Sequence, residues 1–344
     1  MTTFKLETAG PFGLCRLADP GVMDNFGILP GQMIRMHSRL PEKVSPRLLV
    51  VAAFAAVYIF WGSTYIAIAI AIESTPPFLM AGLRFFAAGA ILYMWCLARG
   101  QRTPGMASIG RSALAGILML FCGTTALIWA EQYLPAGLCS IVVAATPFWF
   151  VILDRKNWKT NFSNRLITGG IALGLAGIVM LSLSRGSINL AHNRNQFTSF
   201  LVLTGGTVLW SVGSLYSKYS ATSGSTSIKA SFQMMAAGLF ALLISVVSGE
   251  YGRFSWNQVT LHSVEAMLYL VTFGSLVGYI AYVWLLDVRP PAIVGTYAYV
   301  NPAIALFLGW LILHEHFRVT QLFSLAIILG GVLLINFSKY RKLR

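Results

Sequence analysis

Arg84 is the only charged residue in the run from Pro77 to Ala98. Seven residues separate it from the start of that run, about 10 Å at the helical rise. A guanidinium set that deep among apolar residues is costly unless an anion meets it. Its planar fork suits a substrate carboxylate or phosphate. The alternative roles are structural: an ion pair with Glu73 or Glu131, or a stem that snorkels to the surface. Glu131 closes a second apolar run beside Trp129 and Gln132. A carboxyl there is a candidate for proton coupling, against the plain reading of an interfacial anion.

The remaining candidates are neutral. Trp61, Thr64 and Tyr65 recur at helical spacing, with Ile68 extending the same face. Trp210 precedes Ser214 and Ser217, and Gln233, Tyr297 and Asn301 complete the set. Aromatic walls with a few hydrogen-bonding groups suit a small-molecule pocket. Tryptophans near run ends, such as Trp129 and Trp284, equally fit the interfacial belt. Pro147 and Pro302 fall within apolar runs, where each removes a backbone donor and frees a carbonyl, so both are candidate hinges. Nothing points to a metal or cofactor. His314-Glu315-His316 lacks the four-residue histidine spacing of a helical zinc motif. Cys15, Cys96, Cys122 and Cys139 form no ligand pair. Paired acids, an activated nucleophile and a phosphate-binding loop are also missing from the pattern, which argues against an intramembrane enzyme and a nucleotide-driven pump.

These residues need a scaffold in lipid. The chain has 344 residues, 56% hydrophobic and only 10% charged, against about 25% charged in soluble domains. A bilayer crossing takes about 20 apolar residues, and ten such runs occur: 48–72, 77–98, 112–131, 137–153, 166–184, 199–217, 228–248, 264–286, 292–313 and 319–338. They are continuously apolar, which selects helices over barrel strands. With the N-terminus cytoplasmic, 20 of the 25 Lys and Arg lie on the inner side, four lie outside, and Arg84 lies within a span. That bias predicts cytoplasmic termini. It also explains the net charge of +14 through anionic lipid, with no nucleic-acid partner. Residues 1–47 read as a disordered cytoplasmic tail and 339–344 as a basic cytoplasmic end.

The two halves, 48–184 and 199–338, repeat each other. Arg84-Phe-Phe-Ala-Ala-Gly89 follows Trp61 by the same 23 residues that separate Gln233-Met-Met-Ala-Ala-Gly238 from Trp210. A W-x5-P-x11-P pattern occurs as Trp129, Pro135, Pro147 and again as Trp284, Pro290, Pro302. The last spans share Ala176-Gly177-Ile178-Val179 and Gly330-Gly331-Val332-Leu333. Five spans per half is an odd number, so the second half enters from the opposite side. The expected fold is therefore an all-α integral membrane protein of ten transmembrane helices in two inverted five-helix repeats. Small-residue runs at Gly169-Gly170, Gly174, Gly177 and Gly330-Gly331 suit close helix packing, within the chain or in a homodimer.

Trp61-Gly62-Ser63-Thr64, the entry from Pro76-Pro77 to Arg84-Phe85, and the two W-x5-P-x11-P segments resemble the EamA-like drug/metabolite transporter superfamily, most closely its metabolite-exporter branch. The resemblance covers about 48–338. It implies a ten-helix carrier in a bacterial inner membrane that exports small metabolites or amino acids. The first span holds no carboxylate, unlike the small multidrug carriers of that superfamily, so proton/cationic-drug exchange of their kind is disfavoured. The expected substrate is amino-acid-like, neutral or zwitterionic, moved by alternating access with proton coupling as an option. The alternatives are a facilitative channel, a drug-efflux carrier and, further off, an intramembrane enzyme.

Overall fold

The computed structural model describes residues 8–9, 14–15, 46–183, 193–316 and 319–341. The expected disorder of the tail falls almost wholly outside them; its described part is an antiparallel pairing of Thr8–Ala9 with Leu14–Cys15. The end of the C-terminal basic segment, 342–344, is also outside.

Apart from that pairing, the described chain is helical. The first half comprises α1 (Pro46–Ile72), α2 (Pro77–Ala98), α3 (Met106–Ala130), α4 (Ala136–Leu153) and α5 (Arg165–Leu183). The second comprises α6 (Arg194–Tyr219), α7 (Thr226–Val247), α8 (Leu261–Val288), α9 (Tyr297–Ile312, preceded by a turn at Pro291–Val294) and α10 (Val319–Arg341). Among the described residues seven helices are long and apolar enough to cross a membrane, and three apolar stretches are shorter: Arg165–Gly177, Val300–Ile312 and Val319–Gly331. Two helices start earlier than hydropathy indicates, α3 at Met106 and α6 at Arg194. Their first turns hold Ser108 and Arg111, or Arg194, Asn195 and Gln196, which continue the helix without continuing the apolar run.

The helices pack mainly across the two halves. α1 lies against α8 and α9, α2 against α7 and α8, α3 against α6 and α7, α4 against α9 and α6, and α5 against α10. Exchanging the halves turns this set of contacts into itself. Small residues permit the closest approaches. A side chain at Gly89 would meet the Met235 backbone nitrogen at 2.7 Å, and one at Gly238 would collide with the Phe86 backbone. Gly174 and Gly331 are used within the chain, since a Cβ on Gly331 would meet the Gly174 nitrogen at 2.8 Å.

Helix starts are closed in two ways. Asn193, Ser225 and Thr260 cap α6, α7 and α8 with their own side chains. The proline-led starts of α2 and α4 lack such a residue and are served from the other half. Glu250 Oε2 accepts from Leu79 N (3.1 Å), and Glu315 accepts from Ala136 N (2.8 Å) and Gly137 N (3.1 Å). A carboxylate there faces the unsatisfied N–H groups and the positive end of the helix.

α3 and α8 each change pitch midway. Ile117–Thr125 and Leu270–Tyr279 are wound as π-helix, an i to i+5 pattern. The two stretches occupy corresponding places in the halves. Segments of this kind are rare and gather at functional sites. α4 is interrupted at Ala144-Ala145, with Pro147 opening its second part. Thr146 Oγ1 donates at 2.6 Å to the Val143 carbonyl, the acceptor that Pro147 cannot serve. Pro302 sits inside α9, and the interruption there comes earlier, at Gly295-Thr296.

Candidate functional site

Between the halves lies a cavity with about 680 Å³ of unfilled space, open solvent included. It draws on the second half of α1 (Trp61, Thr64, Tyr65), the first half of α2 (Arg84, Phe85) and the π segments of α3 (Leu120, Gly123, Thr124) and α8 (Gly274, Ser275, Tyr279). α4, α6 and α9 add Thr146, Trp210, Tyr297 and Asn301. The broken or rewound parts of four helices thus meet at one place, where freed polar groups can be satisfied.

One end of the cavity is an aromatic box. The repeat-related tryptophans meet edge-on, Trp61 to Trp210 at 5.5 Å between ring centroids, and Tyr297 stands at 5.1 Å from Trp61. Tyr282 closes the box from behind, 4.9 Å from Trp61 and 5.3 Å from Trp210. Hydrogen bonds lock these rings. Trp61 Nε1 donates to the Gly274 carbonyl (3.0 Å), Trp210 Nε1 donates to Tyr282 OH (3.1 Å), and Ser214 Oγ lies 2.8 Å from the same hydroxyl. Asn301, in the amide orientation that satisfies it, donates to the Tyr58 and Tyr297 carbonyls at 3.2 and 3.1 Å.

Arg84 forms the opposing wall. Its side chain is 4% exposed, so it does not snorkel out. Nε donates to Ser275 Oγ at 3.0 Å, and the guanidinium carbon lies 4.9 Å from the centre of the Phe85 ring. Gly274 gives it room: a Cβ there would meet Nη2 at 2.8 Å and Thr64 Cγ2 at 3.1 Å. Nη1 is buried with no hydrogen-bond partner. Glu131 acts electrostatically on Arg84, yet both of its buried carboxyl oxygens lack a hydrogen-bond partner. Glu73 is exposed on the α1–α2 connection.

The sequence candidates divide accordingly. Trp61, Thr64, Tyr65, Arg84, Trp210, Tyr297 and Asn301 line the cavity together. Ser214 stands behind it and holds Tyr282. Gln233 is also behind, with both amide atoms used: Nε2 donates to Ser217 Oγ (2.9 Å) and Oε1 accepts from Tyr279 OH (2.9 Å). Glu131 lies one turn beyond the lining residue Leu127. Trp129 packs on Tyr133 at the end of α3. Gly274, Ser275, Gly278, Tyr279 and Tyr282 were not singled out in the sequence. The signal that carried them was the spacing Gly274-Ser275-x-x-Gly278-Tyr279-x-x-Tyr282, a small-residue face followed by an aromatic one on a single helix.

Two like halves of apolar helices enclosing one central cavity define an all-helical, multi-pass membrane transporter. The comparisons with known proteins carry this further. The model of the EamA-like transporter family matches residues 48–183 and again 197–337. The chain is 36% identical over 294 residues to the inner membrane transporter YedA of Escherichia coli K12, covering 84% of this chain and 90% of that one. It is 23% identical to Protein PecM of Dickeya dadantii, covering 83% and 92%. A solved structure titled "Crystal structure of protein" superposes with a TM-score of 0.61 at 18% identity, over 85% of this chain and 98% of that one, which shows the shared fold. The chain belongs to the EamA-like transporter family, whose members are transporters and not enzymes.

Proposed function

We propose that the protein is a secondary carrier that exports small amino-acid-like metabolites, neutral or zwitterionic, by alternating access of two inverted five-helix repeats. The observation that carries this reading is the cavity itself, walled by seven helices drawn from both halves around a charged and hydrogen-bonding core. Contacts that map onto themselves when the halves exchange give two conformations of similar energy, which is the physical requirement for alternation. Pro147 and Pro302 mark the helices in which the bending is placed. Glu131 is the group assigned to proton coupling. Trp61, Thr64, Tyr65, Arg84, Trp210, Tyr297 and Asn301 form the substrate-facing set, and Ser214 and Gln233 support it from behind. The membrane is the bacterial inner membrane, with both termini on the cytoplasmic side, a reading supported by the distribution of Lys and Arg.

The test is transport by purified protein in proteoliposomes, screened with radiolabelled amino acids and related metabolites, with and without a pH gradient. A carrier gives saturable flux and counterflow of labelled against unlabelled solute. Non-saturable flux without counterflow defeats this reading in favour of a channel, and the absence of flux from folded protein removes its support.

A further inference from the structure

Resting on the carrier reading above, we infer that Lys218 and Glu315 are the latches of two gates, Lys218 at the end of the cavity where α6 and α8 finish and Glu315 at the opposite end. In the orientation proposed above, Lys218 holds the cytoplasmic gate. The cavity separates two groups of helices, each drawn from both halves. α6 packs with α3 and α4, and α1 packs with α8 and α9. Exchanging the halves turns one group into the other. Side chains hold each group together. In the first, Tyr219 OH donates to Asp154 Oδ1 at 3.1 Å. In the second, Tyr58 OH lies 2.6 Å from Thr296 Oγ1, and Ser63 Oγ lies 2.5 Å from Tyr269 OH. α2 and α7 pack on each other alongside. Opening either end of the cavity means parting the two groups at that end.

Each end is tied across the groups by a charged side chain, and each tie answers a proline. Pro135 and Pro290 are the repeat-related members of the W-x5-P pattern. Pro290 has no N–H to offer the Leu286 carbonyl four residues before it, and Arg289 between them is extended. Lys218 Nζ, from α6, donates to that carbonyl at 2.5 Å and to the Arg289 carbonyl at 2.9 Å. It places a cation on the negative end of α8. It is also the last rung of a ladder beneath the cavity, one helical turn beyond Ser214 and two beyond Trp210, both of which meet Tyr282 of α8. At the other end Pro135 precedes α4, and Glu315, just after α9, accepts from the Ala136 and Gly137 N–H groups. This is an anion on a positive helix end. A local cap such as Ser225 on α7 stays made however the groups move. The two ties across the groups must break when their own end opens. Both side chains are half-buried, so water can take over the groups they release. Parting then costs about one charge-assisted hydrogen bond, a factor of roughly 10 to 100 in the closed-to-open ratio. That holds a gate and still lets it go.

The experiment needs no solute. Nitroxide labels are carried on cysteines at the exposed positions Ala221 and Val288 for the Lys218 end, and at Gln132 and Ile312 for the Glu315 end. The protein is the full chain with its native cysteines replaced, in lipid nanodiscs, and double electron–electron resonance reads the two distances. Lys218→Met should enlarge the longer-distance population of the Ala221–Val288 pair roughly 10- to 100-fold and leave the Gln132–Ile312 pair unchanged or shorter. Glu315→Gln should do the reverse. Lys218→Arg, which keeps a cation, should stay closer to wild type than Lys218→Met. If Lys218→Met does not fold, Pro290→Ala asks the same question with the lysine in place: it restores an N–H four residues after Leu286 and should widen the same pair alone. An unchanged distance at the variant's own end, or equal widening at both ends, overturns the inference. Because the distances do not depend on the solute, the two readings fail separately. Saturable counterflow with unresponsive distances leaves the carrier reading standing while the latches fall, and responsive distances without flux of any solute count against the carrier reading.

Discussion

Substituting Gly274 with alanine separates the placing of Arg84 from the holding of the fold. The new methyl would stand 2.8 Å from Nη2 of Arg84, whereas ordinary contact begins near 3.4 Å, so the guanidinium must retreat by about 0.6 Å. A shift of that size along the 3.0 Å bond from Nε to Ser275 Oγ takes it past hydrogen-bond length. Because the obstructing atom ends a flexible side chain, the stability cost should be small, about 1 kcal/mol, the value of one hydrogen bond. The functional cost should be far larger, since misplacing a positioned group by about 1 Å can cost on the order of 100-fold. Gly238→Ala is the control. There the added methyl collides with the Phe86 backbone, which cannot step aside, so overpacking should cost about 1–3 kcal/mol or more. The assay pairs thermal unfolding in detergent with concentration-dependent flux in proteoliposomes. Gly274→Ala should melt within a few degrees of wild type and lose transport affinity, while Gly238→Ala should melt early. Wild-type affinity in folded Gly274→Ala would refute the claim that the position of Arg84 governs recognition.

Two further predictions follow from groups outside the cavity lining. Gln233→Met strands Tyr279 OH and Ser217 Oγ, both in buried residues, and should cost about 2–3 kcal/mol of stability; thermal melting checks this, and flux per folded molecule should stay within a few-fold of wild type. Burial holds the Glu250 and Glu315 carboxyls above the usual carboxylate range, against the N–H bonds that pull them down. The folded protein then binds protons more tightly at these groups than the unfolded chain does, so their contribution to stability falls as pH rises from the ordinary carboxylate value of about 4.5. Melting temperature measured across pH 4.5–7 should fall less steeply in the Glu250→Gln, Glu315→Gln double variant than in wild type.

Much of the scaffold was readable because lipid imposes a simple rule: a helix that crosses must be apolar, so Trp61, Arg84 and Trp210 could be placed within long runs by composition alone. The tryptophan and proline spacings also gave the repeat. Three features escaped. Polar first turns at Ser108–Arg111 and Arg194–Gln196 belong to helices although they carry no hydropathy signal. The π segments leave no mark in the run of apolar residues, since a changed pitch alters which side chains face inward and not what they are. For the same reason the Gly274-Ser275 seat of Arg84 could not be found: it is a contact between halves 190 positions apart, and one sequence does not reveal which surfaces meet. Gln233 shows the opposite limit. Its kinship with Arg84 was legible, but its saturation by Ser217 and Tyr279 depends on the packing of α6, α7 and α8.

The matched π segments also order events in the history of the chain. A π turn accommodates one residue more than an α turn, and it usually records a single inserted residue. Finding one at Ile117–Thr125 and another at the corresponding Leu270–Tyr279 is most simply one insertion, made when the gene encoded a single one of the two matching units and copied when that unit was doubled. Arginine at position 84 and glutamine at 233 do not match in this way. The groove is thus present in duplicate, while the charge that distinguishes its two sides stands in one half alone. A relative with both π turns and the same residue at both positions would preserve the earlier stage.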